Sequence, residues 1–376
     1  MNHTKRSLLS VSILSVLAIS AGTAEAIEFG FFDARSAALA NTGAASSNLI
    51  NGGFHNPALL AAQEKEEDFS ILIPSVGLRL ADPNDLVSDI DAYQVAEAAG
   101  NNAGMLAALN KANGKAVIAN GYGGVAMSFA GDKYAGGLLV NAYTLNSVRV
   151  TPNFVTPLNS TLDTLGIQVK EIGVPLATKL DVSGQKIAVG FTPKYVNVKT
   201  NDASQGLPVA DPTVDGFLDN PASQLEDSGF NLDAGAVWGN GDGWRGGLVV
   251  RNLISKDYKT VTGRTITIDP QVRAGVSYNN KWVTTAFDLD LTENKPVGYE
   301  SPTQMAAIGI EFNAYNWVQL RVGYMHNLKA ASNLDKAGAY TAGIGINIYG
   351  VHLDAAVITN GNENDLGAYA QLGVNF

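Results

Sequence analysis

Counting back from the C-terminus, Phe376, Val374, Leu372, Ala370 and Ala368 share one face, and Asn375, Gly373, Gln371 and Tyr369 the other. A period of two predicts a β-strand. The rhythm recurs upstream. Val351, Leu353, Ala355 and Val357 oppose His352 and Asp354. Val318, Leu320, Val322 and Tyr324 oppose Gln319, Arg321 and Gly323. Val272, Ala274, Val276 and Tyr278 oppose Gln271, Arg273 and Gly275. Strands are predicted over 69–80, 117–130, 134–147, 167–180, 185–199, 228–240, 244–256, 270–279, 282–292, 303–312, 317–327, 338–348 and 351–359, followed by the strand that ends at Phe376. That makes fourteen, an even number as single-chain bacterial barrels have.

One face is steadily apolar; the other is polar, glycine-rich and charged. A soluble sandwich would bury the first, whereas a membrane barrel turns it to lipid and keeps the polar face in the lumen. Alternation alone does not separate the two. The connections favour the barrel. Asn279-Asn280, Tyr315-Asn316 and Gly350 mark tight turns, and the connections between them (293–302, 328–337, 360–366) are longer and polar. Aromatics at strand ends (Tyr278, Trp282, Tyr315, Trp317, Tyr349) sit where an interfacial girdle would. The predicted fold class is all-β: a transmembrane antiparallel β-barrel of fourteen or so strands, with 67–376 as the barrel.

Two insertions interrupt it, both on the same, outer edge. In 83–114, Leu86, Ile90, Tyr93, Ala96 and Ala99 have helical spacing, and Met105, Leu106 and Leu109 resume it after Gly100–Gly104. Residues 200–227 form a long acidic loop with Pro208, Pro212 and Pro221. At the other end, Lys5 and Arg6, the apolar run Leu8–Ala21 and Ala24-Glu25-Ala26 predict a signal peptide over 1–26, hence export. Residues 27–66 are too irregular and rich in small residues for a strand, and in a closed barrel they must enter the lumen or hang below it.

Composition narrows the function classes. The absence of cysteine excludes disulfide scaffolds and thiol chemistry. A net charge of −10 and a pI near 4.9 argue against nucleic acid as a partner. A mean hydropathy of +0.04 suits an alternating barrel better than a helix bundle.

The inward face is expected to carry Asp233, Arg251, Arg273, Asp288, Asp290, Glu311, Arg321 and Asp354 as a lumenal charge network, because charges in a lumen must be paired or hydrated. Arg35 is the candidate to dock the N-terminal segment on these acids. His352 and Asp354, two apart on one face, resemble a dyad but read first as a lumen pair. With no GxSxG, P-loop or HExxH present, the chain reads as no enzyme. Asn360, Asn362, Asn364 and Asp365 lack calcium-loop spacing, so neither metal nor cofactor is expected. Asp82, Asp85, Asp89 and Asp91 could meet divalent ions on lipopolysaccharide, and Glu64, Glu66 and Glu67 read as a solvated turn.

Phe31-Phe32-Asp33-Ala34-Arg35-Ser36 followed by Asn56-Pro57-Ala58-Leu59-Leu60 resembles the start of the TraF-type outer-membrane family of conjugal transfer. That family is similar to the long-chain fatty-acid outer-membrane transporters, whose N-terminal hatch carries Asn-Pro-Ala and plugs a fourteen-stranded barrel. The resemblance implies a hatch or plug over 27–66, with Arg35, Asn56, Pro57 and Ala58 in it. Where relatives often have Ala-Met-Gly-Gly, this chain has Ala38-Leu39-Ala40-Asn41. The implied function is passive transport of a small hydrophobic molecule, contacted by Leu86, Ile90, Leu106, Leu207, Phe217, Leu218 and Leu225 under a partly helical outer cap. The other reading is a structural or assembly component of a conjugative transfer or surface system. Expected partners are outer-membrane lipid and lipopolysaccharide, and the barrel-assembly machinery through the strand ending in Phe376.

Overall fold

The computed structural model describes residues 29–63, 68–207, 221–239, 242–295, 297–299, 302–314, 317–330 and 338–376. The signal-peptide reading, Glu64, Glu66, Glu67, Phe217 and Leu218 lie outside them.

Two short helices, α1 (Ala34–Ala38) and α2 (Leu49–His55), and a 3-10 turn (Pro57–Leu60) precede β1 (Phe69–Ala81). Helices α3 (Leu86–Ala98) and α4 (Asn102–Ala112) follow, then β2 (Ala116–Ala130), β3 (Tyr134–Thr151), β4 (Thr161–Gly173), β5 (Leu176–Val182), β6 (Gln185–Gly206), β7 (Gln224–Trp238) and β8 (Gly243–Arg251). A small hairpin, β9 (Lys256–Lys259) and β10 (Thr265–Ile268), interrupts the wall. It resumes with β11 (Gln271–Asn279), β12 (Val283–Asp290), β13 (Met305–Ala314), β14 (Val318–Asn327), β15 (Gly338–Ile348), β16 (Val351–Thr359) and β17 (Asp365–Asn375).

Every wall pairing is antiparallel. β1 pairs with both β2 and β17, so the sheet closes on itself. β4 and β5 both pair with β3 and β6 and form one strand, interrupted at Val174-Pro175. The fifteen segments of the sheet are thus fourteen strands. Closure leaves no unpaired edge, which hydrocarbon demands.

The outward face is apolar. Phe287, Ile308, Leu320, Val322, Leu353 and Leu366 are exposed, while Asp288, Glu311, Arg321 and Asp354 on the opposite face are buried. All four tryptophans (Trp238, Trp244, Trp282, Trp317) are exposed near the short-turn rim, as an interfacial girdle would have them. At that rim Ser183-Gly184 and Tyr349-Gly350 turn with both residues at positive φ, the geometry of two-residue hairpins.

The wall is taller on one side than alternation predicted. β6 has 22 residues, against the 9–11 or so that a tilted strand needs to cross hydrocarbon. Along its outward face, Phe191 and Tyr195 give way to Asn197, Lys199 and Asn201. The Tyr195–Phe230 ring pair, 5.7 Å between centroids, lies at that change. The upper part of β2–β7 therefore continues past the apolar band. This is why β3 and β4 extend to Thr151 and Thr161, beyond the predicted ends.

Candidate functional site

Residues 29–63 lie inside the barrel and are buried almost throughout. Their local structure is set by three side-chain caps. Asp33 caps α1 by accepting the Ser36 N–H at 2.8 Å; Asn48 caps α2 through the Asn51 N–H; Asn56 caps the 3-10 turn through the Ala58 N–H at 3.1 Å. Pro57 occupies the first turn position, where no N–H is needed. Asp33 also accepts from Asn51 Nδ2 at 2.6 Å and meets His55 Nε2 at 2.5 Å, tying the two helices together.

The segment meets the wall through a ring of polar contacts. Arg35 donates to Glu311 of β13 and, from Nη1, to the Ser46 carbonyl at 3.1 Å. Glu311 also accepts from Arg321 of β14 at 2.5 Å, directly across the strand pair. Arg321 reaches Asp354 of β16. Asp354 accepts from Gln371 of β17 at 2.8 Å, and Gln371 accepts the Ala34 N–H at 2.9 Å, which returns the ring to α1. Every charge in it has a partner, the condition for burying charge without prohibitive cost.

The other predicted charges serve the same segment. Asp288 accepts the N–H groups of Gly43 and Ala44 at 2.8 and 2.9 Å. Arg273 pairs with Asp290 at 2.6 Å, donates to the Asn41 carbonyl at 3.0 Å and lies 4.0 Å over the Phe29 ring. Arg251 stacks 4.5 Å over Phe32, between Glu171 at 3.4 Å and Asp233 at 3.8 Å. Sequence reasoning missed Glu171 and Lys194, which completes this second group at 3.1 Å from Glu171 and 2.9 Å from Asp233. Both follow the inward alternation of β4 and β6, and extending the charge reading to those strands would have found them.

Inward glycines let the segment approach the wall. A methyl on Gly309 would lie 2.7 Å from the Leu39 carbonyl oxygen; one on Gly323 would lie 2.7 Å from the Ala40 nitrogen. Gly235 faces the Asn56 amide, and Gly190 faces Pro57 and Ala58. Ala40 and Asn41 take φ of 58° and 62°. The left-handed turn is thus kept without glycine, Asn being the residue that tolerates it best after glycine.

The structure places several of the expected hydrophobic contacts away from the lumen. Leu86, Ile90 and Leu207 pack with Tyr93, Leu109, Val117, Val148, Val150 and Leu162. These wall residues lie on the outward face, sharing it with exposed Leu138, Val140 and Ile172. The helical pair therefore leans on the outside of the tall wall instead of capping the lumen. Leu106 is half-buried outside that cluster and Leu225 is exposed. Asp82 accepts the Leu86 and Val87 N–H groups, and Asp89 pairs with Lys115, so both acids hold helices.

The apolar lumenal surface lies elsewhere. Tyr143 and Leu145 of β3, Leu165, Ile167 and Val169 of β4, and Val196 and Val198 of β6 form one buried cluster with Phe31 and Phe32 of the segment. Nearer the short-turn rim, a polar cavity of 280 Å³ lies between the segment and the wall, lined by Ser46, Ser47, Asn48, Asn279, Thr284 and His352. His352 Nε2 has no hydrogen-bond partner, and Asp354 is engaged by Arg321 and Gln371, so the two form no dyad. Among the described residues, no group of three or more His, Asp or Glu side chains is placed to hold a metal.

Solved structures that share this fold include three bacterial outer-membrane proteins. The Ralstonia pickettii toluene transporter TbuX gives 0.57 at 13% identity, covering 92% of this chain and 98% of its own. A Pseudomonas aeruginosa FadL homologue gives 0.57 at 11%, with 92% and 98% covered. The Pseudomonas putida toluene transporter TodX gives 0.53 at 11%, with 93% and 98%. No curated protein matches. A family model, described as F plasmid transfer operon, TraF, protein, matches residues 53–290, from the second lumenal helix to the end of β12. That span exceeds half of the sequence, and the chain belongs to this family.

Proposed function

We propose that the protein is an outer-membrane channel for passive passage of a small hydrophobic molecule, with residues 27–66 as its plug. The observation that carries this reading is the buried aliphatic lumenal surface of β3, β4 and β6, which packs on Phe31 and Phe32 of the N-terminal segment. Hydrophobic pockets with a few fixed polar groups are the usual form of a small-molecule site. The ion ring through Arg35 supports a plug held on the wall by side-chain contacts. The barrel neighbours titled as toluene transporters support the solute class.

In this reading the apolar outward band takes outer-membrane lipid and the polar upper wall meets lipopolysaccharide. Phe376, exposed and 6.0 Å from the Phe69 ring, is the residue offered to the barrel-assembly machinery. Uptake of radiolabelled toluene into proteoliposomes tests the proposal. Uptake no faster than in protein-free vesicles, from protein with heat-modifiable migration, would reject it.

A role in assembly of a conjugative or surface system is the second reading. It draws on the family match and on the helical pair standing outside the wall with Val87 and Val95 exposed. Loss of plasmid transfer on deletion, restored by the wild type and not by a Val87→Asp, Val95→Asp variant, would favour it.

A further inference from the structure

The aliphatic lumenal surface is already occupied by part of the chain itself. Between β8 and β11, the β9–β10 hairpin folds back into the mouth. Its residues alternate: Tyr258, Ile266 and Ile268 are buried, whereas Asp257, Lys259 and Thr265 on the other face are exposed. The three buried side chains belong to the same cluster as Leu145, Leu165, Ile167, Val169, Val196 and Val198. Those six wall residues offer no side-chain donor or acceptor.

The cover is held by rim contacts. Thr200 of β6 donates to the Lys259 carbonyl at 2.9 Å, Thr260 donates to Asp202 at 2.8 Å, and Lys256 donates to the Ser228 carbonyl at 2.7 Å. The hairpin is a separate two-stranded sheet, four residues a strand, with no ladder to the wall. An isolated hairpin has little stability of its own, so its release costs only the contacts it makes.

We infer that the surface under this hairpin is a binding site for a small neutral hydrophobic molecule, and that Tyr258, Ile266 and Ile268 occupy it in the resting protein as an internal competitor. The inference rests on the channel reading above and gives it a location and a ligand class. A ligand must displace the three side chains, so its apparent affinity is reduced by the fraction of molecules in which the hairpin is out.

The test uses N-phenyl-1-naphthylamine fluorescence with the full chain in detergent. Replacing 256–268 by a short Gly-Ser linker should tighten probe binding tenfold or more. Adding Val196→Trp, which fills the chamber, should abolish that gain. Where the linker variant loses heat-modifiable migration, Tyr258→Ser with Ile266→Ser gives the same reading with the hairpin retained. Unchanged or weaker probe binding in a folded hairpin variant would overturn the inference. Toluene uptake read in parallel separates the two claims. A binding gain without uptake rejects the channel and keeps the site; uptake without a gain rejects the site and keeps the channel.

Discussion

Arg35 and Glu311, 276 residues apart in sequence, form a forked pair in the lumen: Nε to Oε2 at 2.9 Å and Nη2 to Oε1 at 3.2 Å. Both side chains are buried. Arg35→Ala leaves Glu311 with Arg321 alone and frees the Ser46 carbonyl. Removing one partner of a buried pair costs about 3–5 kcal/mol. The segment should loosen, and conductance across a planar bilayer should rise above wild type. Wild-type conductance would contradict this.

Gly309 supplies a second handle on the same contact. Gly309→Ala should displace residues 38–40 and expose them to protease, because the added methyl meets backbone at 2.7 Å. Gly206→Ala, with open space around it, should leave the digestion pattern unchanged.

Ala40 pairs a left-handed backbone with a methyl seated by Gly323. Ala40→Gly relieves the backbone and loses the methyl, two effects of about 1 kcal/mol each with opposite sign, so stability should change by less than about 1 kcal/mol. Ala40→Val brings a β-branched residue to the same φ and should lower the unfolding midpoint in thermal melts.

Asp33 sets a pH dependence. Burial alone would raise its carboxyl, but the adjacent His55 and the helix N–H groups outweigh it, leaving it below the ordinary 3.8. A depressed acid contributes stability that is fully present above the unfolded value and lost as pH falls through the folded one. The contribution of this carboxyl to segment docking should therefore be fully present above about 4 and lost as pH falls below it. Protease access to residues 29–63 measures this, and Asp33→Asn should remove the dependence on this carboxyl.

Leu86→Ala tests the placement of the helices. Opening a cavity at a buried leucine costs about 2–5 kcal/mol, so α3 should become protease-sensitive. Hydrophobic uptake should stay at the wild-type rate, because the cluster lies outside the wall. A loss of uptake with an intact barrel would return Leu86 to the ligand path.

The strand count and the inward charges were legible because wall residues obey a period of two with a face-specific solvent. Three features were not. Val117, Val148, Val150 and Leu162 keep the outward alternation, and alternation does not say whether lipid or a helix covers an outward residue. The β9–β10 hairpin falls between the strands predicted over 244–256 and 270–279, since four-residue strands barely establish a period. The left-handed backbone at Ala40 and Asn41 was hidden, because backbone angle is not a property of composition.

The polar ring joins Ala34 to Gln371, so its two ends are made at opposite ends of synthesis. No partial barrel can complete it. Until β17 joins the wall, Ala34 and Asp354 lack Gln371 as a partner, and the segment is held by only part of its contacts. Seating of the interior and closure of the wall are in this sense one cooperative event, and a chain stalled before its last hairpin would fail in both.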